Sequence, residues 1–235
     1  MREIKSYYNE FSHWYDRERD RGYHAFIDQM EYETIEPYCR DKNVLEAGCG
    51  TGLILEKIAT TAASTHGIDI SRGMLQNSLQ RGLDVSMASI IHLPFKDDSF
   101  DTVYSVKVLA HVPDLREALS ELGRVVKPGG FVIPEFYNKW SLRHIIKISR
   151  PGLKISPVTT DKEVFTRYYS LSEIRALVPT NLKLVHIGGV RIASLIPQFF
   201  NVPILGDAME RIERIFSTSP LRRFGGFAIP IFQKQ

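Results

Sequence analysis

The stretch that most restricts what this chain can become is "VLEAGCGTGLI", Val44 to Ile54. An apolar run of strand character passes through an acid, Glu46, and reaches three glycines, Gly48, Gly50 and Gly52, before apolar residues resume. Glycine loses more conformational freedom on folding than any other residue. Three of them where a strand hands over to a helix make sense when a ligand must come close to the backbone. Strand, glycine turn and helix together open a βαβ unit, and such units build mostly parallel sheets.

The same alternation continues along the chain. Residues 43–48, 64–70, 84–89, 100–106 and 130–137 read as short buried strands, and 51–63, 71–81 and 114–126 as helices between them. Ser71 and Asp114 stand where helix N-caps are expected, and the "KPGG" after the third helix reads as a stop. Two late strand candidates occupy 181–190 and 227–234. The segments 138–180 and 191–224 read as insertions placed to cover a site at the strand ends. The expected organisation is one domain over 1–235, with an N-terminal helical part (1–40), a core (41–137) and the two insertions.

Composition removes several function classes. No run of eighteen apolar residues is present, and the polar, aromatic N-terminus lacks a secretory h-region. Cys39 and Cys49 are the only cysteines, too few for a disulfide framework, so a reducing, cytoplasmic setting is expected. The seven histidines are scattered without metal-ligand spacing, so no metal is expected. A net charge of +3 does not by itself argue for nucleic acid. The charge is uneven, however: Phe136 to Thr160 holds no Asp or Glu, but does hold Lys139, Arg143, Lys147, Arg150 and Lys154.

In an open parallel sheet, ligands bind beyond the carboxyl ends of the strands. Gly48, Cys49, Gly50, Thr51 and Gly52 lie at such an end. The dinucleotide pattern G-x-G-x-x-G wants a glycine where this chain has Leu53, which weakens a nicotinamide reading. Asp69 closes the second strand roughly 20 residues after the glycines, the usual place for a carboxylate that accepts ribose hydroxyls.

With these residues in view, the chain resembles the class I S-adenosylmethionine-dependent methyltransferases, in particular the small-molecule group of ubiquinone and menaquinone biosynthesis. Four blocks carry the likeness: "VLEAGCGTG", "GIDISRGML", "IIHLPFKDDSFDTVYSVKVLAHVPD" and "ELGRVVKPGGFVI", together spanning residues 44–133. A weaker likeness lies in "YYNEFSHWYD". The resemblance implies a Rossmann-like, mostly parallel seven-stranded sheet flanked by helices, with helical insertions forming a lid. It implies S-adenosylmethionine as methyl donor and S-adenosylhomocysteine as product, with methyl transfer by in-line displacement. It also implies a cofactor site of Glu46, Gly48, Cys49, Gly50, Thr51, Gly52, Asp69, Ile70, Met74, Ser89, Ile90, Val106 and Lys107, with Tyr8 and Tyr15 closing it from an N-terminal helix. One departure stands out: where such enzymes often carry Gly-Asp-Ala, this chain has Ala88-Ser89-Ile90, so a neutral serine takes the position of the adenine-binding acid.

His111 follows the fourth strand and is the candidate catalytic base, with a packing histidine as the alternative. Cys49 reads equally as a small packing residue. The basic insertion with Trp140, Leu142, Ile145, Ile146, Ile148, Phe165, Tyr168 and Tyr169, and the second insertion with Ile192, Leu195, Ile196 and Phe199, suggest a greasy cavity with a basic rim. The expected acceptor is a small hydrophobic molecule such as a quinone precursor, lipid or natural product. Transient membrane contact fits the same surface, in a monomer or homodimer, with no stable nucleic-acid partner. The rival readings are a nucleic-acid methyltransferase using 139–154, and a cofactor-binding homologue without turnover.

Overall fold

Alternating apolar residues decide the sheet. In the computed structural model, residues 4–17, 19, 21–149, 165–195 and 197–235 are described; Arg150, Lys154 and Ile196 of the sequence reading lie outside them. Strands β1 (Asn43–Ala47), β2 (Ser64–Asp69), β3 (Val85–Met87), β4 (Phe100–Ser105), β5 (Val126–Pro134), β6 (Phe136–Tyr137), β7 (Leu182–Val190) and β8 (Phe227–Lys234) form one sheet in the order β3-β2-β1-β4-β5-β8-β6, with β7 also on β8. The β3 to β5 pairings are parallel, and β8 runs antiparallel to β5, β6 and β7. Eight strands stand against the seven expected because Glu135 interrupts one strand into β5 and β6.

Neighbouring strand residues face opposite layers, and both layers are apolar. Leu45, Val103, Val132 and Phe232 pack against α5 (Leu115–Val125), while Val44, Tyr104, Ile133 and Ile231 pack against α2 (Gly22–Ile35). A sheet buried on both faces needs such continuous apolar strands. The strand tips therefore emerge at one edge, held between two solid layers.

Helices α3 (Leu53–Ala59) and α4 (Arg72–Gln80) follow β1 and β2. Helix α3 is shorter than the expected 51–63 because Thr51 and Gly52 belong to the turn and the chain breaks off at Thr60. Ser71 caps α4 by accepting the Met74 N–H. Asp114 holds the N-cap position of α5, but its side chain makes no capping bond. The "KPGG" does end α5, yet it forms the bulged start of β5 rather than a loop, with Gly129 at φ 78.

Helix α1 (Ile4–Tyr15) lies over the strand tips, where Asn9 Oδ1 accepts from Ser71 Oγ (2.8 Å) and the Gly73 N–H (3.1 Å) at the start of α4. The insertions supply α6 (Leu142–Ser149), α7 (Leu171–Leu177), α8 (Pro203–Thr218) and a short 3-10 turn at Pro220–Phe224. Among the described residues, no helix is long and apolar enough to cross a membrane.

Candidate active site

The turn after β1 is shaped by two glycines with different tasks. Gly48 sits at φ +86, and a Cβ there would fall 2.2 Å from Val108 Cγ2, so no side chain fits. Its N–H and that of Cys49 both donate to the Ile68 carbonyl, tying the turn to β2. Gly50, at φ +56, faces open space: a Cβ there would meet nothing within 4 Å. Its N–H donates to Asp69 Oδ2 at 2.9 Å, and the Ser71 N–H donates to Asp69 Oδ1 at 2.8 Å. Burial pushes the Asp69 carboxyl up, and these backbone donors pull it back toward the charged form. Gly52, the third glycine of the expected site, sits at φ +85. A Cβ there would meet Leu83 and Ser78, so this glycine serves packing and lines neither of the cavities described next.

The first cavity holds about 230 Å³ and has a largely apolar wall. Tyr8, Tyr15, Gly48, Gly50, Asp69, Ile70, Met74, Ser89, Ile90, Val106, Lys107 and His111 all reach it, in line with the sequence. Ile4, Ile68, Ala88, Ile91, Val108, Val112 and Pro113 complete it. These come from α1 and from the turns after β3 and β4, so the wall is assembled from distant segments.

The second cavity is small, about 40 Å³, and charged. Glu46, Cys49 and Thr51 line it beside Arg19, Asp28 and Lys107, and it shares Tyr15, Gly48, Gly50, Val106 and Lys107 with the first. Thr51 Oγ1 donates to Asp16 Oδ1 at 2.6 Å. Cys49 is buried, and burial, with Glu46 and Asp69 nearby, pushes its thiol up, which matches a packing role and not a reactive one. Glu46 is buried against Tyr104, whose hydroxyl donates to it at 3.0 Å; burial raises its carboxyl to about 8.

Behind this cavity lies a buried ionic cluster. Lys107 Nζ reaches Asp28 Oδ1 at 2.5 Å and Glu31 Oε2 at 2.6 Å, and Arg19 Nη1 reaches both Asp28 oxygens at 3.1 Å. The Lys107 N–H donates to Glu135 Oε1 at 3.1 Å. Burial opposes the lysine's charge, but Glu31 and Asp28 outweigh it and hold the ammonium charged. Burial likewise opposes ionisation of Asp28, and Lys107 and Arg19 overcome it. Burial and the neighbouring Glu31 push Glu135 far up, so Glu135 keeps a proton within hydrogen-bonding reach of Glu31. Two cations and three carboxyls thereby balance with one retained proton. The cluster also holds Lys107 in the left-handed region, at φ 60, where a side chain is strained.

His111 sits at the end of the 3-10 turn Leu109–His111, with the Tyr8 ring 6.1 Å and the Tyr137 ring 5.7 Å from its own, both edge-on. Its Nδ1 lies 2.9 Å from the Phe165 carbonyl. A carbonyl can only accept, so Nδ1 carries the hydrogen and the basic lone pair belongs to Nε2.

Sequence reasoning missed Arg19, Asp28, Glu31 and Glu135. The available signal was Asp28 and Glu31 at i and i+3 on an otherwise apolar helix face. Among the described residues, none from 138–180 or 191–224 lines either strand-tip cavity where a greasy cavity with a basic rim was expected, and Trp140, Leu142, Ile145, Ile146 and Ile148 are exposed. Helix α8 packs on β7, and Ile204, Ile212 and Ile215 on its outer side are exposed.

Residues 45–133 match the family model described as a methyltransferase domain. The uncharacterized protein MJ1252 of Methanocaldococcus jannaschii is 31% identical over 81% of this chain and 80% of its own length. The chain belongs to the class I S-adenosylmethionine-dependent methyltransferases. The chain is also 30% identical to the O-methyltransferase rstn1 of Aspergillus nomiae, over 50% of the chain and 57% of that relative, so it spans little more than half of rstn1. Among solved structures, a S-adenosylmethionine-dependent methyltransferase of Thermotoga maritima, described as a possible histamine N-methyltransferase, covers 99% of this chain and all of its own, with a TM-score of 0.71. At 18% identity that likeness is one of fold.

Proposed function

We propose that the protein transfers a methyl group from S-adenosylmethionine to a small, largely apolar acceptor bearing a hydroxyl or amine. The observation that carries this reading is the meeting of two unlike cavities at Gly48, Gly50, Val106 and Lys107. The donor is a nucleoside joined to an amino acid, and each end fits one cavity. Asp69 stands at the rim of the apolar cavity, suited to ribose hydroxyls, with Ile70, Met74, Ser89 and Ile90 around the base position. The charged cavity offers carboxylates and cations, the complement of an amino-acid zwitterion. S-adenosylmethionine supplies a methyl on a sulfonium, already activated for in-line displacement.

The chain then has to align the acceptor and exclude water. Tyr8 and Tyr15 on α1 roof the junction, and both ring hydroxyls are pushed up by burial, so they stay neutral. Their faces suit a sulfonium. His111 Nε2, oriented through Nδ1 by the Phe165 carbonyl, is the group to take the acceptor's proton. The apolar wall supports a hydrophobic acceptor, and the O-methyltransferase relative supports a hydroxyl on it.

Calorimetry with S-adenosylmethionine and S-adenosylhomocysteine tests the cofactor reading. The wild type is expected to bind both, and Asp69→Ala to bind roughly 100-fold more weakly, because hydrogen bonds to a charged carboxylate contribute about 1.5–3 kcal/mol each. His111→Gln is expected to keep that binding and lose methyl transfer to a panel of lipophilic phenols and amines by about 10²-fold or more. A wild type that binds neither nucleoside defeats the reading; a fully active His111→Gln removes only the base assignment.

A further inference from the structure

Helix α6 turns its apolar face outward. Leu142, Ile145, Ile146 and Ile148 are 39–65% exposed, and helical geometry places them on one side. Arg143 and His144 are half-buried on the other side, and the His144 ring stacks on Tyr168 at 3.8 Å, fastening the helix to the body through its polar face. Trp140, 59% exposed, leads into the same surface. Asn138 Nδ2 donates to the carbonyls of Arg223 (2.8 Å) and Gly225 (2.9 Å), which sets the 220–224 turn beside the start of α6. Leu221 and Phe224 of that turn are exposed too. Between them Arg222 and Arg223, with His186, line a cavity of about 240 Å³ at the edge strand β7.

We propose that α6 and the 220–224 turn dock this protein on a bilayer carrying anionic phospholipid. Trp140 and the α6 isoleucines enter the interface, while Arg222 and Arg223 meet headgroup phosphates. Charge decides for lipid over a second copy of the chain. Arg222 and Arg223 stand on this face, so pairing two copies through it would set cation against cation, whereas an anionic surface attracts them. The surface also lies on the acceptor side of the site. Tyr168 contacts Tyr137 at 5.7 Å between ring centres, and Tyr137 contacts His111 at the same separation. Docking itself does not depend on the methyl-transfer reading.

The test is flotation of the full chain with vesicles of phosphatidylcholine alone or mixed with phosphatidylglycerol. Co-flotation with the mixed vesicles only, weakening as salt rises, is expected. In a Trp14→Phe background, Trp140 emission should shift to the blue on the same vesicles. Ile145→Asp/Ile148→Asp should weaken flotation by roughly tenfold or more. Arg222→Glu/Arg223→Glu should do the same, since it reverses two charges that an anionic surface attracts. Circular dichroism and S-adenosylmethionine binding should be unchanged in the isoleucine variant. The proposal is overturned if wild type stays unbound with anionic vesicles, or if both double variants float like wild type. It is also overturned if sedimentation shows a dimer that Ile145→Asp/Ile148→Asp dissolves. Flotation needs no acceptor or donor, so its failure is separable from failure of the enzymatic reading.

Discussion

The two cavities at the strand tips share five residues and are built from opposite materials. The larger is walled by aliphatic side chains around a single carboxylate, Asp69. The smaller is walled by Glu46, Asp28, Arg19 and Lys107 and backed by Glu31 and Glu135. The first gains from burial as such, because apolar surface leaves water. The second is costly unless every charge is paired, because desolvating an ion costs several kcal/mol. A ligand with an aromatic, ribose-bearing end and a zwitterionic end resolves the contrast, and the difference shows where the molecule is fragile.

The sharpest way to break the comparison is Lys107→Met. It leaves Asp28, Glu31 and Glu135 buried without their lysine, and removing one partner of a buried pair costs about 3–5 kcal/mol. For a chain of this size the melting temperature should fall by roughly 10 °C or more. Adding Glu31→Gln should recover part of the loss. A melting temperature within about 2 °C of wild type would show that the cluster is solvated and the contrast false.

A smaller effect separates the two glycines. Gly48→Ala forces a Cβ into Val108 and should cost about 2–3 kcal/mol, read by urea unfolding. Gly50→Ala should cost only about 1 kcal/mol, the strain of a left-handed alanine, because its Cβ points into open space. S-adenosylmethionine affinity should nonetheless fall clearly for Gly50→Ala if the donor fills that space. Equal stability losses would erase the distinction between a packing glycine and a ligand-facing one.

The smallest effect concerns pH. Glu46 holds its proton up to about pH 8, whereas an exposed glutamate releases it near about 4.3. The folded chain therefore binds more protons across that window, and stability falls as pH rises through it, then levels off above about 8. Glu46→Gln removes this slope. Variant and wild type should melt alike near pH 5, and the variant should melt a few degrees higher near pH 9. Parallel melting curves at both values would mean that Glu46 is ionised at neutral pH.

Legibility differed along the same line. The positions of the strands up to β4, the glycine turn, Asp69 and the Ser71 cap were all readable, because each depends on residues within a few positions of one another. So were most of the apolar cavity's residues, since they fall at strand ends in blocks of recognisable spacing. Gly52 lines neither cavity, and spacing alone cannot tell a glycine facing open space from one facing Leu83. The "KPGG" stop concealed a bulged strand because its continuation depends on pairing with β4, not on local turn chemistry.

By itself, the sequence determined the alternation of strand and helix, the glycine turn at the tip of the first strand, and the family. Local backbone conformation and periodic burial act over short stretches and leave their mark there. Only the tertiary structure decided that Lys107 is half-buried among carboxyls from α2 and β5's end, that His111 is oriented by a carbonyl 54 residues away, and that α6 carries its apolar face outward. Charge pairing and exposure are set by what the fold brings alongside a residue, and neighbours in the chain do not specify that.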